Sequence, residues 1–330
     1  MDWLGILASG VLAMIGPVTA AYAVSGNGLN LQFGYTGLLN FGHVAFMLMG
    51  AYGLALTVEF GGSLWLGVVI GIAAAVMLGL LMGIPTLRLR ADFFAITSIA
   101  AAEVIRLVVR SSWAQPATGG VFGIQGFANE FYAINPFTAT EVFGFDRFIV
   151  TGRALWIMLV GWIIVVLTTL LITRLVKSPW GRVIEAVRED EDAVRALGKN
   201  TLAYKLQALM IGGAMGALSG MLLAIEQQNV HPDSFQPRVT FILYVIVILG
   251  GAGTIWGPVL GAVVFNFVYF TIDQFMVQLQ ANVDFVGDLI SPAEAALIKL
   301  VFVGIALMLL MIFRPQGILG SREEALIDAR

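Results

Sequence analysis

The feature that most constrains this chain is a series of nearly uninterrupted apolar runs, each close to the length of one bilayer crossing. They fall at roughly 4–24, 36–57, 64–84, 92–110, 154–176, 202–225, 257–277 and 296–313. About 20 apolar residues in a helix cross the hydrocarbon core of a membrane. In lipid, only helices and closed barrels satisfy every backbone polar group. The pattern predicts an all-α fold, a polytopic transmembrane helical bundle. Composition closes the other routes: 59% of the 330 residues are hydrophobic and only 12% are charged, against about 25% charged in a typical globular domain. So few charges cannot cover a water-facing surface, which excludes a cytosolic enzyme, a secreted domain and a disordered chain. A net charge of −3 offers nucleic acid no electrostatic footprint. With no Cys and only His43 and His231, disulfides and Cys-based metal sites are excluded and a purely His-based site is not expected.

One further run, 239–250, holds about twelve residues, about 18 Å of helix, which is too short to cross alone. Gly250-Gly251-Ala252-Gly253-Thr254-Ile255-Trp256-Gly257-Pro258 follows it, a string no straight helix would choose. We read 239–277 as a broken or re-entrant unit and expect eight to ten spans in total. Residues 1–23 end in Ala21-Tyr22-Ala23, which resembles a signal-peptidase site. Asp2, the lack of Lys or Arg and the length of the apolar run favour a retained first helix. If 177–201 is cytoplasmic, alternation through nine segments places twelve of the eighteen Lys and Arg inside. Arg106, Arg110, Arg147, Arg153, Arg238 and Lys299 then lie outside. That bias predicts an outside N-terminus and a cytoplasmic C-terminus.

Small residues recur at helical spacing in Gly212/Gly216/Gly220, Gly67/Gly71 and Gly79/Gly83, which predicts close helix packing within the chain. There is also an internal echo, read as a repeat. Gly34-Tyr35-Thr36-Gly37-Leu38-Leu39-Asn40-Phe41-Gly42-His43 opens the second run, and 251–258 opens the seventh. Paired glycine-interrupted segments in corresponding halves point to a solute path, because a broken helix frees backbone groups that must line a cavity. The plainer alternative is that these glycines mark helix ends. Candidate pathway residues are Tyr35, Thr36, Asn40, His43, Gly253 and Thr254, with Thr97 and Glu103 on the fourth run. Glu103 is read first as an i,i+3 ion pair with Arg106, His43 first as a hydrogen-bonded packing residue, and His231-Pro232-Asp233 as an outer turn.

The stretch 177–201 is the most polar in the chain and its five basic and five acidic residues cancel. Ser178 and Pro179 are start signals, Asp190 can cap a second helix and Gly198 is a stop. Val183, Ile184 and Val187, then Val194 and Leu197, form apolar stripes, so two short amphipathic helices are expected. Such a capped pair projecting from a short-looped bundle reads as a docking element for a cytosolic partner. No Gly-x-x-x-x-Gly-Lys-[Ser/Thr] occurs, so any ATP and Mg must be bound by another chain.

These motifs together resemble the permease subunits of branched-chain amino acid ABC importers, of the longer LivM type. The resemblance rests on 34–52, on Leu87-Arg88-Leu89-Arg90-Ala91-Asp92-Phe93-Phe94-Ala95-Ile96, and on Glu103-Val104-Ile105-Arg106-Leu107. It rests further on 118–126, on 181–200 with Tyr204-Lys205-Leu206, on 249–254 and on Arg314-Pro315-Gln316-Gly317. It implies a transporter subunit, not an enzyme, in a bacterial or archaeal inner membrane. Its partners would be two cytosolic ATPase subunits, a second permease (copy or paralogue) and a soluble binding protein outside. It implies a single permease domain over 1–330, an outer loop at 111–153 and a coupling loop at 177–201. Coupling residues would be Gly181, Glu185, Ala186, Arg188, Glu189, Asp190, Ala193, Leu197 and Gly198. Binding-protein contacts would be Thr118, Gly119, Gly120 and Gly123. Glu191 stands where the general importer loop has a glycine. The family also includes permeases for urea and short amides. An ion-coupled secondary transporter acting alone is the alternative from another class, and a passive channel the third.

Overall fold

Helices account for most of the described chain in this computed structural model, which covers residues 2–87, 91–137, 141–145, 148–282 and 316–320, with scattered positions between 298 and 312. The final apolar run lies largely outside these residues, as do Arg88, Arg90, Arg314 and Pro315. Thirteen α-helices are present among the described residues: α1 (Trp3–Ile15), α2 (Pro17–Asn30), α3 (His43–Glu59), α4 (Leu64–Thr86), α5 (Ala91–Arg110), α6 (Gln115–Thr118), α7 (Asn129–Ala133), α8 (Gly152–Val176), α9 (Pro179–Glu189), α10 (Glu191–Ala196), α11 (Thr201–Gln227), α12 (Pro237–Gly250) and α13 (Gly257–Asn282). Four of these, α4, α8, α11 and the Gly257–Gln280 part of α13, are long and apolar enough to cross a membrane. A fifth candidate is the bent unit of α1 with α2 and the π-helical turn Leu31–Tyr35. α5 is long enough but carries Glu103, Arg106 and Arg110. α3 and α12, at 17 and 14 residues, are shorter apolar helices.

The bend between α1 and α2 is 43° and has a local cause. Pro17 opens α2 after an extended Gly16, and proline supplies no N–H to continue the ladder. The freed carbonyls find other donors: Thr19 Oγ1 donates to Ala13 O at 2.5 Å and Trp162 Nε1 to Ile15 O at 2.8 Å. In lipid, an unrepaired pair would be far more costly than in water.

Packing centres on α2, α3 and α11, with α4, α8, α12 and α13 around them. The predicted glycine stripe on α11 makes that centre possible. A Cβ at Gly212 would strike the Gly28 backbone, one at Gly216 the His43 ring, and one at Gly220 the Met47 carbonyl. These contacts place the stripe within the chain's own core. The most apolar stretch of α11 is 72% buried, against 33% for α4 and 39% for α8.

The stretch 111–153, expected as an outer loop, differs from the all-α expectation. Beside α6 and α7 it holds the strand β1 (Ile124–Gln125), paired antiparallel with β4 (Asn229–Val230). It also holds a hairpin of β2 (Val142–Phe145) and β3 (Phe148–Thr151). Thr151 ends the hairpin and caps α8, accepting from Ala154 N at 3.3 Å. Gly123, Gly126 and Gly144 take positive φ here, a backbone that ends helices and admits short strands instead.

Candidate functional site

The chain between the first two apolar runs is not a connector. Residues 25–35 continue α2 into the π-helical turn, and Ser25, Asn27, Asn30 and Gln32 are fully buried. Buried amides favour hydrogen bonds, and most of these side chains find them, although Ser25 Oγ and Asn27 Oδ1 have no partner among the described residues. Asn27 Nδ2 donates to Thr169 Oγ1 of α8 at 2.9 Å. Gln32 Nε2 donates to Leu209 O of α11 at 3.1 Å, and its Oε1 accepts from Asn40 Nδ2 at 2.9 Å. The same oxygen lies 3.2 Å from His43 Nδ1, a contact that places the imidazole proton on Nδ1. Asn40 Oδ1 in turn accepts from Gly42 N at 3.0 Å, and Thr240 Oγ1 of α12 accepts from Val44 N at 3.0 Å. These bonds satisfy the start of α3, whose first amides have no partner within the helix.

The two echoing glycine segments meet. Asn30 Oδ1 accepts from Gly253 N and its Nδ2 donates to Thr254 O, both at 2.9 Å. Thr254 Oγ1 closes back on Gly251 O at 2.7 Å. Gly251 and Gly253 have φ of 116° and 74°, a backbone that side-chain-bearing residues resist. Tyr35 and Thr36 lie in the same corner, with Thr36 Oγ1 donating to Leu31 O at 2.8 Å. π-Turns such as the one here concentrate at functional positions.

The polar stretch 177–201 folds as its capping signals predict. Ser178 Oγ accepts from Gly181 N at 3.4 Å with Pro179 at the first position of α9. Asp190 Oδ1 accepts from Ala193 N at 2.9 Å to start α10. Gly198, at φ 77°, follows the end of α10. Gly181 leaves no room for a Cβ against the Val176 carbonyl. Ile184, Val187 and Val194 are buried, while Glu185, Ala186 and Glu189 face outward. Leu197 departs from its expected stripe: it is the cap residue beyond the last turn of α10 and is 80% exposed. Arg188 reaches inward from α9, donating from Nη1 to Gly34 O at 2.6 Å, with Gly37 and Gly253 packed beside it. This loop therefore touches both breaks through one side chain.

Glu191, the departure from the general loop pattern, anchors α10 to α11. It pairs with Lys205, accepts from Thr201 Oγ1 at 3.0 Å and meets Arg195 Nη2 at 3.1 Å. Burial alone would raise its carboxyl, but the bonds from Lys205 and Thr201 outweigh it and hold the group below its ordinary value.

Thr97 and Glu103 stand apart on α5. Thr97 Oγ1 donates to Phe93 O of its own helix at 2.7 Å. Arg106, 8% exposed, donates to Glu103 at 3.0 Å and 2.5 Å and also bonds Asp233. Arg110 Nε lies 3.4 Å from the same Asp233. The Glu103–Arg106 pair thus ties α5 to the turn at Pro232–Phe235, where His231 accepts from Asp233 N. Nearby, Thr118 Oγ1 donates to Val109 O at 2.7 Å, and Gly119, Gly120 and Gly123 all take positive φ in a tight turn beside β1. Asn27, Asn30 and Gln32 escaped the sequence reading. Their only local signal was the i,i+3 spacing of Asn27 and Asn30.

The family model described as branched-chain amino acid transport system / permease component matches residues 11–312. The high-affinity branched-chain amino acid transport system permease protein LivM of Salmonella typhimurium is 32% identical over 92% of this chain and 69% of its own length. The probable branched-chain amino acid transport permease protein LivM of Methanocaldococcus jannaschii is 26% identical over 91% of each chain. The autoinducer 2 import system permease protein LsrC of Photorhabdus laumondii is 30% identical over 33% of this chain and 34% of its own. No solved structure matches. These relatives are transport components, not enzymes, and the match spans the bent pair, the glycine breaks and the polar loop alike. The chain is therefore a multi-pass membrane protein and belongs to the branched-chain amino acid transport system permease family.

Proposed function

We propose that this chain forms the translocation path of an ABC importer for branched-chain amino acids, driven by two cytosolic ATPase subunits that bind ATP and Mg. A soluble binding protein delivers solute on the outside at 118–126, and a second permease, a copy or a paralogue, completes the membrane unit. The bent α1–α2 unit, α3, α4, α5, α8, α11, α12, α13 and the run 296–313 make nine segments. The N-terminus is outside and 177–201 is cytoplasmic. The single observation that supports coupling through this loop is the Arg188–Gly34 bond. It links α9 to the end of the bent span, and Asn30 links that span to the α12–α13 break. A displacement of α9 by the ATPases therefore has a hydrogen-bonded route to both breaks. Solute passes near the corner formed by Tyr35, Thr36, Asn40, Gly253 and Thr254.

The test is a proteoliposome carrying the whole complex. Uptake of L-leucine should require ATP, the ATPase subunits and the binding protein. Arg188→Gln should leave basal ATPase activity in place and lower binding-protein-stimulated uptake roughly tenfold, within the usual range for a coupling energy. Uptake abolished by an uncoupler instead of by ATP omission would overturn the importer reading. Normal uptake in the Arg188 variant would overturn the loop's role alone.

A further inference from the structure

A second polar site lies at the outer end of the bundle, away from both glycine breaks. Arg153 at the start of α8, Tyr132 of α7, Glu226 at the end of α11 and Gln228 line a cavity of about 260 Å³, and Pro17 and Ile157 give it an apolar side. That is below the roughly 300 Å³ at which drug-sized pockets begin, and it suits a molecule the size of one amino acid.

Three features mark it as built for a ligand. The Arg153 guanidinium is held over the Tyr132 ring, 4.0 Å from its centroid, and hydrogen-bonds the Tyr132 hydroxyl, which fixes the cation and leaves other donors of its five-donor fork for a ligand. Tyr132 is itself fixed, its hydroxyl donating to Ile225 O at 3.1 Å. The cavity also brings opposite charges together. Arg153 and Glu226 both line its wall. Lastly, Gln228 is the only described non-glycine residue with positive φ, at 49°, and its side-chain amide nitrogen is buried without a hydrogen-bond partner. A buried orphan donor carries a desolvation cost, which an incoming acceptor would relieve.

We infer that this cavity binds a compact zwitterion. Its anionic oxygens would meet Arg153 and the Gln228 amide, its ammonium would meet Glu226, and its short aliphatic part would lie on Ile157 and Pro17. An anion alone would face the Glu226 carboxylate, and a cation alone would face Arg153. Only a ligand with both charges satisfies both walls. Two sources share that chemistry, a free amino acid and an ethanolamine lipid headgroup. The inference rests on the proposed function only for the choice of amino acid as probe.

The test uses the full chain in nanodiscs of phosphatidylglycerol, read by saturation-transfer NMR without ATPase partners. The probes are L-leucine, 4-methylpentanoate, 3-methylbutylamine and glycerophosphoethanolamine. L-Leucine should bind better than either single-charge analogue. Glu226→Gln should weaken leucine roughly tenfold and leave 4-methylpentanoate unchanged, and Arg153→Gln should weaken leucine and leave 3-methylbutylamine unchanged. Should Glu226→Gln fail to assemble, Glu226→Asp keeps the charge, shortens the reach and reads the same contact. Binding of glycerophosphoethanolamine but not leucine, with the same dependence on both charges, assigns the site to lipid headgroups. Equal binding of leucine to wild type and both variants overturns the site. ATP-driven uptake is measured separately, so the cavity can fail while the importer stands, and the reverse.

Discussion

Helices α8 and α11 are close in length, 25 and 27 residues, and both qualify as membrane spans, yet they do opposite work. α8 turns Ile163, Val166, Leu167, Leu170 and Leu171 outward. α11 is less uniformly apolar, holds Gly212, Gly213, Gly216, Ser219 and Gly220 against its neighbours, and is nearly twice as buried. Of these two helices the more apolar is the less buried. The residues packed at the centre of the bundle sit on the less apolar of these two helices. The reason is physical: lipid tails are as apolar as leucine, so helices associate through close fit and hydrogen bonds.

Four substitutions would break or sharpen that contrast. Gly220→Leu drives a side chain into the Met47 carbonyl and should cost about 3 kcal/mol or prevent assembly, read by denaturant unfolding in mild detergent. Gln32→Ala removes the contacts to Asn40, His43 and Leu209 and should cost about 2 kcal/mol in the same measurement. Glu191→Gln weakens the partly exposed tie between α10 and α11 and should cost about 0.5–1 kcal/mol, seen as faster amide exchange in 191–196. The wild type should show the matching acid response. Because the folded carboxyl titrates below its ordinary value, its stabilisation is present above that value and fades as pH falls through the lowered one. Leu170→Ala, 55% exposed on α8, should stay within about 0.5 kcal/mol. If Leu170→Ala matches Gly220→Leu, the division between the two helices fails.

The same contrast explains what the sequence revealed. The runs at 64–84, 154–176 and 202–225 lie inside α4, α8 and α11 because lipid-facing side chains must be apolar one by one. The caps at Ser178, Asp190 and Gly198 were legible because capping is local, and Glu103–Arg106 because its partners are three residues apart. Residues 25–33 were not legible, since the bonds of Asn27, Asn30 and Gln32 run to partners more than a hundred residues away or across a turn. The exposure of Leu197 depended on where α10 ended. The cavity between Arg153 and Glu226 joins positions that no spacing rule connects.

The α12–α13 break is closed by main chain from far downstream, with Ile318 N donating to Leu249 O and Leu319 N to Gly250 O at 2.9 and 3.0 Å. Those donors emerge from the ribosome about seventy residues after the carbonyls they serve. During synthesis the break is thus left open until the far segment arrives, and its completion is a late event in biogenesis. A chain truncated before Ile318 would keep both glycine breaks and still present two bare carbonyls at the end of α12.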